Sequence, residues 1–395
     1  MRTAVIGGGA AGFFLAINLK EMMPGMEVTI FERSQRVLAK VEVSGGGRCN
    51  CTNTFQSVND LKGVYPRGHR LMKRLFHVFG PRDAYHWFER HGVPLVAQAD
   101  GCVFPRRQDS HAVIDCFLSL ARRQGVALVT GRRVASLAEL AAFDFVAVTT
   151  GGSPRTETLR WLQDAGHDIA EPVPSLFSLT IDNPQLQALQ GLATEGSTVG
   201  IAGTKFRASG PLLITHWGLS GPCVLRLSSN AARHLATCAY RVPLSVNWLS
   251  MSEADTLARL AEAAARMPRK QLSTSNPIGL PQRLWTLLAG EALSLKGDRR
   301  WGDLTAKEHH RLTNTLTNYT CHTAGRAPFS DEYVTCGGIA LGSVNPATLE
   351  SRSVPRLFFA GEVLDIDGVT GGFNFQAAWT TAYTVAKSIS EAASR

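Results

Sequence analysis

Apolar residues along the chain change their period several times, and each change marks an element. Thr3 to Ile6 form a short apolar run that stops at a glycine cluster, which predicts a strand entering a tight turn. From about Ala10 the run "AAGFFLAINL" is long enough for a helix, and "EVTIFERS" predicts a second strand ending at Glu32. The far end repeats this pattern. Arg356 to Ala360 predict a strand, an acidic and glycine-rich turn follows, and a closing helix begins at about Asn374.

Between these ends the pattern is different. Residues 55–105 predict a helical excursion, with Leu71, Leu75 and Phe79 on one stripe and basic residues between them. From Pro172 to about Asn247 short apolar runs such as "SLFSLTI" and "YRVPLSVNW" alternate with glycine and proline turns, which predicts β structure. From Ser252 to about Leu316 the period is helical, and Ser252 with Asp255 supplies a start signal. The expected class is α/β: a doubly wound, Rossmann-like domain built from residues 1–171 and 330–395. A β-rich insertion (172–250 and 317–329) and a helical subdomain (251–316) interrupt it.

Composition adds limits. At 395 residues, 44% hydrophobic and 18% charged, the chain is long enough for two or three soluble domains. The stretch "MRTAVIGGGAAGFFLAINL" superficially resembles a signal peptide, but Gly7, Gly8, Gly9 and Gly12 would weaken a signal helix. No run of eighteen apolar residues predicts a membrane span. A net charge of +9 favours contact with polyanions. Eight cysteines without a CxxC or zinc spacing predict reduced thiols in a cytoplasmic protein, with neither a disulfide framework nor a metal site.

The first chemical motif is Gly7-x-Gly9-x-x-Gly12 between strand and helix. Gly7 makes the bend, Gly9 admits a pyrophosphate to the backbone, and Gly12 lets helix and strand pack closely. The helix N-terminus offers unpaired N–H groups to the phosphates. Glu32 follows about twenty residues after Gly12, where a carboxylate meets ribose hydroxyls and repels a 2′-phosphate. Together they predict a dinucleotide site.

FAD and NAD share that fingerprint, and the far end separates them. Gly361, Glu362, Asp365, Asp367, Gly371 and Gly372 fall in one short span, more than an ordinary strand–helix turn requires. Gly371 and Gly372 would let backbone lie against a flavin ring, with the next helix N-terminus facing its pyrimidine edge. The chain contains no second GxGxxG. A nicotinamide reductant would therefore dock on the flavin face without a dinucleotide fold of its own, or the substrate would reduce the flavin. The run "EVSGGGRCNCTN" (Glu42 to Asn53) supplies further flexible backbone for a flat ring, with Arg48 and Asn50 as donors.

These segments resemble the BaiN/RdsA family of NAD(P)/FAD-dependent oxidoreductases over nearly the whole chain. The resemblance rests on "GGGAAG", "SGGGRCNCTN", "AVTTGG" at Ala147 to Gly152, "GPLLITHWGLSGP" at Gly210 to Pro222, "VTCGGIALGSVNPATLESR" at Val334 to Arg352 and "FAGEVLDIDGVTGGFNFQ" at Phe359 to Gln376. It implies FAD held by a two-part domain, with β-barrel-like and small helical domains inserted. By that match Gly7, Gly9, Ala11, Gly12 and Glu32 hold the adenosine and pyrophosphate end, and Val134 meets the adenine through its backbone. Lys40, Gly46, Gly47, Arg48, Cys49 and Asn50 lie along the flavin. Glu362, Asp367, Gly372, Asn374 and Phe375 close the site, and Thr150, Gly151, Gly361 and Gly371 complete the cofactor candidates.

Side chains for chemistry are few. An extended chain would turn Cys49 and Cys51 in opposite directions, which disfavours a disulfide between them; Cys49 is expected either to pack on the ring or to be a redox-active thiol. Cys336 is a candidate proton donor opposite the hydride, and His216 has general-acid chemistry. The resemblance implies three substrate classes: uridine in ribosomal RNA giving dihydrouridine, steroid-like enoyl compounds, and small amines. The basic excursion and net charge favour RNA over a small-molecule substrate. A non-catalytic flavin redox sensor is the alternative from another class.

Overall fold

In the computed structural model, residues 1–153, 155–293, 299–327 and 334–395 are described. The chain divides into two compact units, Met1–Pro174 with Tyr333–Arg395, and Ser175–Glu332. The expected return to the first domain near residue 330 lies outside the described residues.

The first unit is built on β1 (Arg2–Ile6), β2 (Glu27–Phe31), β3 (Ala127–Val129), β4 (Phe145–Val148) and β5 (Leu357–Phe359). They form a five-stranded sheet in the order β5-β4-β1-β2-β3, parallel throughout. Register aligns the strand ends: Ile6 pairs with Phe31 and Val148, Phe31 with Val129, and Val148 with Phe359. The residues that follow, including Gly7, Glu32, Thr149 and Gly361, therefore share the C-terminal edge, where open parallel sheets bind ligands.

Helix α1 (Ala10–Met22) leaves this edge, and α2 (Phe373–Ala393) packs against it from the far end of the chain. Phe14 of α1 meets Trp87, Phe79 and Trp379 of a buried aromatic cluster. Buried polar groups are matched in pairs: Trp87 Nε1 donates to Asn18 Oδ1, and Trp379 Nε1 donates to the carbonyl of Cys51.

The excursion is only half helical. Helices His69–Leu75 and Pro81–Arg90 bury Leu71, Met72, Leu75, Ala84, Trp87 and Phe88. Thereafter Leu95–Ala97 and Cys102–Pro105 join Thr52–Asn53 in an antiparallel three-stranded sheet. The helical stripe ends at Gly92, whose φ of +81° stops the helix and turns the chain into the strand.

The second unit is a closed barrel of six strands, Leu179–Ile181, Ala193–Ile201, Arg207–Ile214, Gly218–Ser220, Pro243–Asn247 and Tyr319–Arg326. Its helices Glu253–Arg266, Gln282–Leu293 and Ala306–Thr317 share one apolar core with the strands. Ser252 caps the first of these helices, accepting from Asp255 N at 3.1 Å. Among the described residues no helix is long and apolar enough to cross a membrane.

The turn after β1 has no slack. A Cβ on Gly12 would stand 2.0 Å from the Gly7 carbonyl oxygen, whereas one on Gly25 would meet nothing within 4 Å. Gly12→Ala is expected to lose at least about 2 kcal/mol. Gly25→Ala should stay within about 0.5 kcal/mol of the parent. Thermal and urea melts of the two variants test this.

Candidate functional site

Strand ends, not side-chain clusters, define the candidate site. Gly7 (φ +116°) runs so close to the next strand that a Cβ there would lie 2.4 Å from the Thr149 carbonyl oxygen. Thr149 Oγ1 donates to the carbonyls of Ile6 and Gly7, which holds the turn from behind. Gly9, by contrast, faces open space for at least 4 Å. Pinned glycines flanking an open one make a backbone cradle at the start of α1.

Glu32 stands beside this cradle. Its carboxylate accepts from Gly8 N at 2.8 Å and from Ser34 N at 2.9 Å. Glu32 N donates to Val129 O and Arg132 N to Glu32 O, which brings the segment leading to buried Val134 alongside. Ala11 is buried, and a Cβ on Gly361 (φ +78°) would come 2.8 Å from its methyl carbon, so the two ends of the chain abut here.

A second backbone cradle lies in the helix Ala39–Gly47, which breaks at Ser44, Gly45 and Gly46. Gly46 and Gly47 have φ of +70° and +82°, and nothing stands within 4 Å of where their Cβ atoms would be. Positive φ at successive residues needs glycine. Arg48 folds back over the Phe104 ring, 4.3 Å from its centroid, and donates to Gly45 O. Lys40 Nζ pairs with Glu362 Oε2 at 2.7 Å, while Glu362 Oε1 accepts from Thr335 N. Gly151 and Gly152 pass beside that carboxylate, and Thr150 is exposed next to them.

The third part is the turn into α2. A Cβ on Gly372 (φ +85°) would stand 2.2 Å from Thr52 O and 2.7 Å from Asn50 Oδ1, so this glycine is wedged against the "RCNCTN" strand. Asn53 Nδ2 donates to Gly371 O, and Tyr65 OH donates to Phe373 O. Burial raises the Tyr65 phenol well above its ordinary range, so it is a neutral donor. Asn374 spends its side chain on the Gly368 N–H and carbonyl, and Phe375 stacks on Trp379.

Asp367 is fully buried and held by a bidentate ion pair from Arg67, so its carboxylate serves the loop itself. Burial opposes the charge on Arg67, but the bonds and charge of Asp367, with smaller contributions from Cys336 and Asp365, outweigh it and raise the guanidinium. Cys336, on the fully buried strand Val334–Ile339, is thus within electrostatic reach of Arg67. His216 belongs to the barrel unit, where it is exposed beside Trp217 in the Thr215–Gly218 turn.

The cysteine pair departs from expectation. Cys49 takes φ +60°, which reverses the chain and sets its sulfur 3.8 Å from that of Cys51. Burial first, and the Cys49 contact second, push the Cys51 thiol well above its ordinary range. Both side chains are fully buried, consistent with packing. Sequence patterns missed Thr149, Tyr65, Asn53 and Arg67. Of these Thr149 and Asn53 carried a signal, as members of the "AVTTGG" and glycine–cysteine motifs.

Residues 1–388 match the model of the family described as HI0933-like protein Rossmann domain, and the chain belongs to that family. It is similar to the 3-dehydro-bile acid delta(4,6)-reductase of Clostridium scindens, with 28% identity over an alignment of length 424 that covers 99% of each chain. It is also similar to the ribosomal RNA dihydrouridine synthase of Escherichia coli, with 27% identity over 411 residues, 98% of this chain and 97% of that one. Among solved structures, a 3-ketosteroid delta1-dehydrogenase from Sterolibacterium denitrificans aligns with 99% of each chain at 11% identity and a TM-score of 0.43.

The ion pair makes a direct test. Arg67→Met leaves Asp367 buried without its cation and should cost about 3–5 kcal/mol, whereas Arg67→Met with Asp367→Leu should recover most of that loss. Urea denaturation of the three variants and the parent closes the cycle.

Proposed function

We propose that this protein is an FAD-dependent oxidoreductase that reduces a uridine of ribosomal RNA to dihydrouridine. The observation that carries the flavin reading is the set of glycine cradles. Gly9, Gly46 and Gly47 leave room where a Cβ would intrude, while Gly7, Gly12 and Gly372 are clamped by backbone. In this reading Gly7, Gly9, Ala11, Gly12, Glu32, Val134, Thr150 and Gly151 hold the ADP half. Lys40, Gly46, Gly47, Arg48, Cys49 and Asn50 would line the ring, and Gly361, Glu362, Gly371, Gly372, Asn374 and Phe375 would close over it, on a loop that Asp367 fixes from behind. The bound flavin would supply reversible hydride chemistry to an activated carbon–carbon double bond. NADH or NADPH is the proposed dissociable reductant.

The residues divide the remaining work. Backbone N–H groups at the start of α2 would favour negative charge on a ring edge held there. Tyr65 and Asn53 fix that turn. Cys336, on the buried strand Val334–Ile339 and within electrostatic reach of Arg67, would give its proton to the carbon next to the one that receives hydride. We assign no chemical step to His216.

The full-length likeness to an rRNA dihydrouridine synthase, together with a net charge of +9, supports RNA as substrate. An rRNA target would place the enzyme in the cytoplasm. The likeness to a bile acid reductase supports a second reading, reduction of an enoyl small molecule at the same site.

Mass spectrometry of rRNA nucleosides from cells lacking this gene tests the first reading. Loss of one dihydrouridine, restored by the parent gene, is expected; an unchanged profile overturns it. Cys336→Ala is expected to bind flavin normally yet turn over about 100-fold more slowly. Equal turnover in stopped-flow assays would remove the thiol from the mechanism.

A further inference from the structure

From Leu61 to Arg82 the chain carries no acidic residue, yet it includes Lys62, Arg67, Arg70, Lys73, Arg74 and Arg82. Of these, Arg67 is committed to Asp367. The others are exposed, and among the described residues no carboxylate pairs with them. Elsewhere in the unit Arg2, Arg36, Lys40 and Arg132 each have an acidic partner; here five cations besides Arg67 fall within 21 residues that contain no carboxylate.

The helix His69–Leu75 sorts the run by face. Leu71, Met72 and Leu75 are buried, while Arg70, Lys73, Arg74 and His77 follow the i, i+3, i+4, i+7 spacing of one helical stripe and are exposed. Among the described residues, no salt bridge neutralises this stripe of three cations and the histidine one turn on.

This stripe is fastened to the candidate site. Val369 N donates to Val64 O, Tyr65 OH to Phe373 O, and Arg67 grips Asp367. A Cβ on Gly68, the residue before the helix, would stand 2.7 Å from Ile366. Two hydrogen bonds, one ion pair and one close packing contact, made by residues between 64 and 68, thus tie the start of the cationic helix to the loop 366–373 that carries Gly371 and Gly372.

We propose that Arg70, Lys73 and Arg74 form the docking surface for the phosphate backbone of the RNA substrate. They hold the strand while one base reaches the Gly371–Gly372 turn. The inference rests on the RNA reading of the site and adds where the polyanion binds. Phosphate contacts of this type set affinity and register without reading sequence.

The test uses the full-length holoprotein and a fluorescein-labelled single-stranded RNA of about 20 nucleotides, titrated by anisotropy across about 50–200 mM salt. Three phosphate contacts on single-stranded RNA correspond to a log–log salt slope of about two. The triple variant Arg70→Ala, Lys73→Ala, Arg74→Ala should lose that much slope and bind at least about tenfold more weakly at low salt. All three side chains are exposed, so its melting temperature should match the parent. Arg122→Ala with Arg123→Ala, a basic pair on another helix, should keep the parent slope.

The outcomes separate the two claims. If the parent binds RNA with a steep salt dependence and the triple variant retains it, the surface is wrong and the RNA reading stands. If both variants lose slope equally, binding is diffuse and the surface is again wrong. If the parent does not bind RNA, the RNA reading falls and takes the surface with it. Selective loss in the triple variant confirms the surface.

Discussion

The buried pair between Arg67 and Asp367 is the interaction on which the candidate site depends. Asp367 is fully removed from water, and a carboxylate in that position needs a matched cation with good geometry. Arg67 supplies it from 300 residues earlier in the chain. Neither end can shift without exposing a charge to an apolar interior. The loop that carries Gly371 and Gly372 is thereby anchored to the excursion. The same loop is pressed on the other side against Thr52 and Asn50, so the turn into α2 is held from two directions.

With those supports in place, backbone provides most of the recognition. The parallel sheet brings Gly7, Glu32, Thr149 and Gly361 to one edge, and glycines open or close the space there according to what each Cβ would meet. Ionisable side chains are tied down: Glu362 by Lys40 and Thr335 N, Glu32 by Gly8 N and Ser34 N. A rigid cradle with few free side chains suits a large, flat cofactor that brings its own reactivity. Burial also lifts the thiol of Cys102, on the strand paired with Thr52–Asn53, to about 11. Protonated thiols make poor nucleophiles.

The parts of this arrangement that were legible in sequence are those with an absolute backbone requirement. Gly7, Gly12, Gly46 and Gly372 have conformations or contacts that other residues resist, so their spacing announces the turn. Strand ends followed from apolar runs for the same reason. Arg67 was not legible, because a lone arginine before a glycine looks the same whether it points to water or to a partner 300 residues away. Strands Leu95–Ala97 and Cys102–Pro105 were hidden by their shortness within a helical context. The Cys49–Cys51 geometry was missed because the expectation assumed extended backbone, and Cys49 adopts a left-handed one.

The central claim is that both ends of the chain build one flavin site. Acid precipitation of the purified protein, followed by chromatography of the released nucleotide, measures it directly. The account predicts FAD at about one per chain, lost when Gly372 is replaced by valine, because that side chain would enter the Thr52 backbone. Release of FMN, of NAD, or of no flavin after reconstitution with FAD would contradict it.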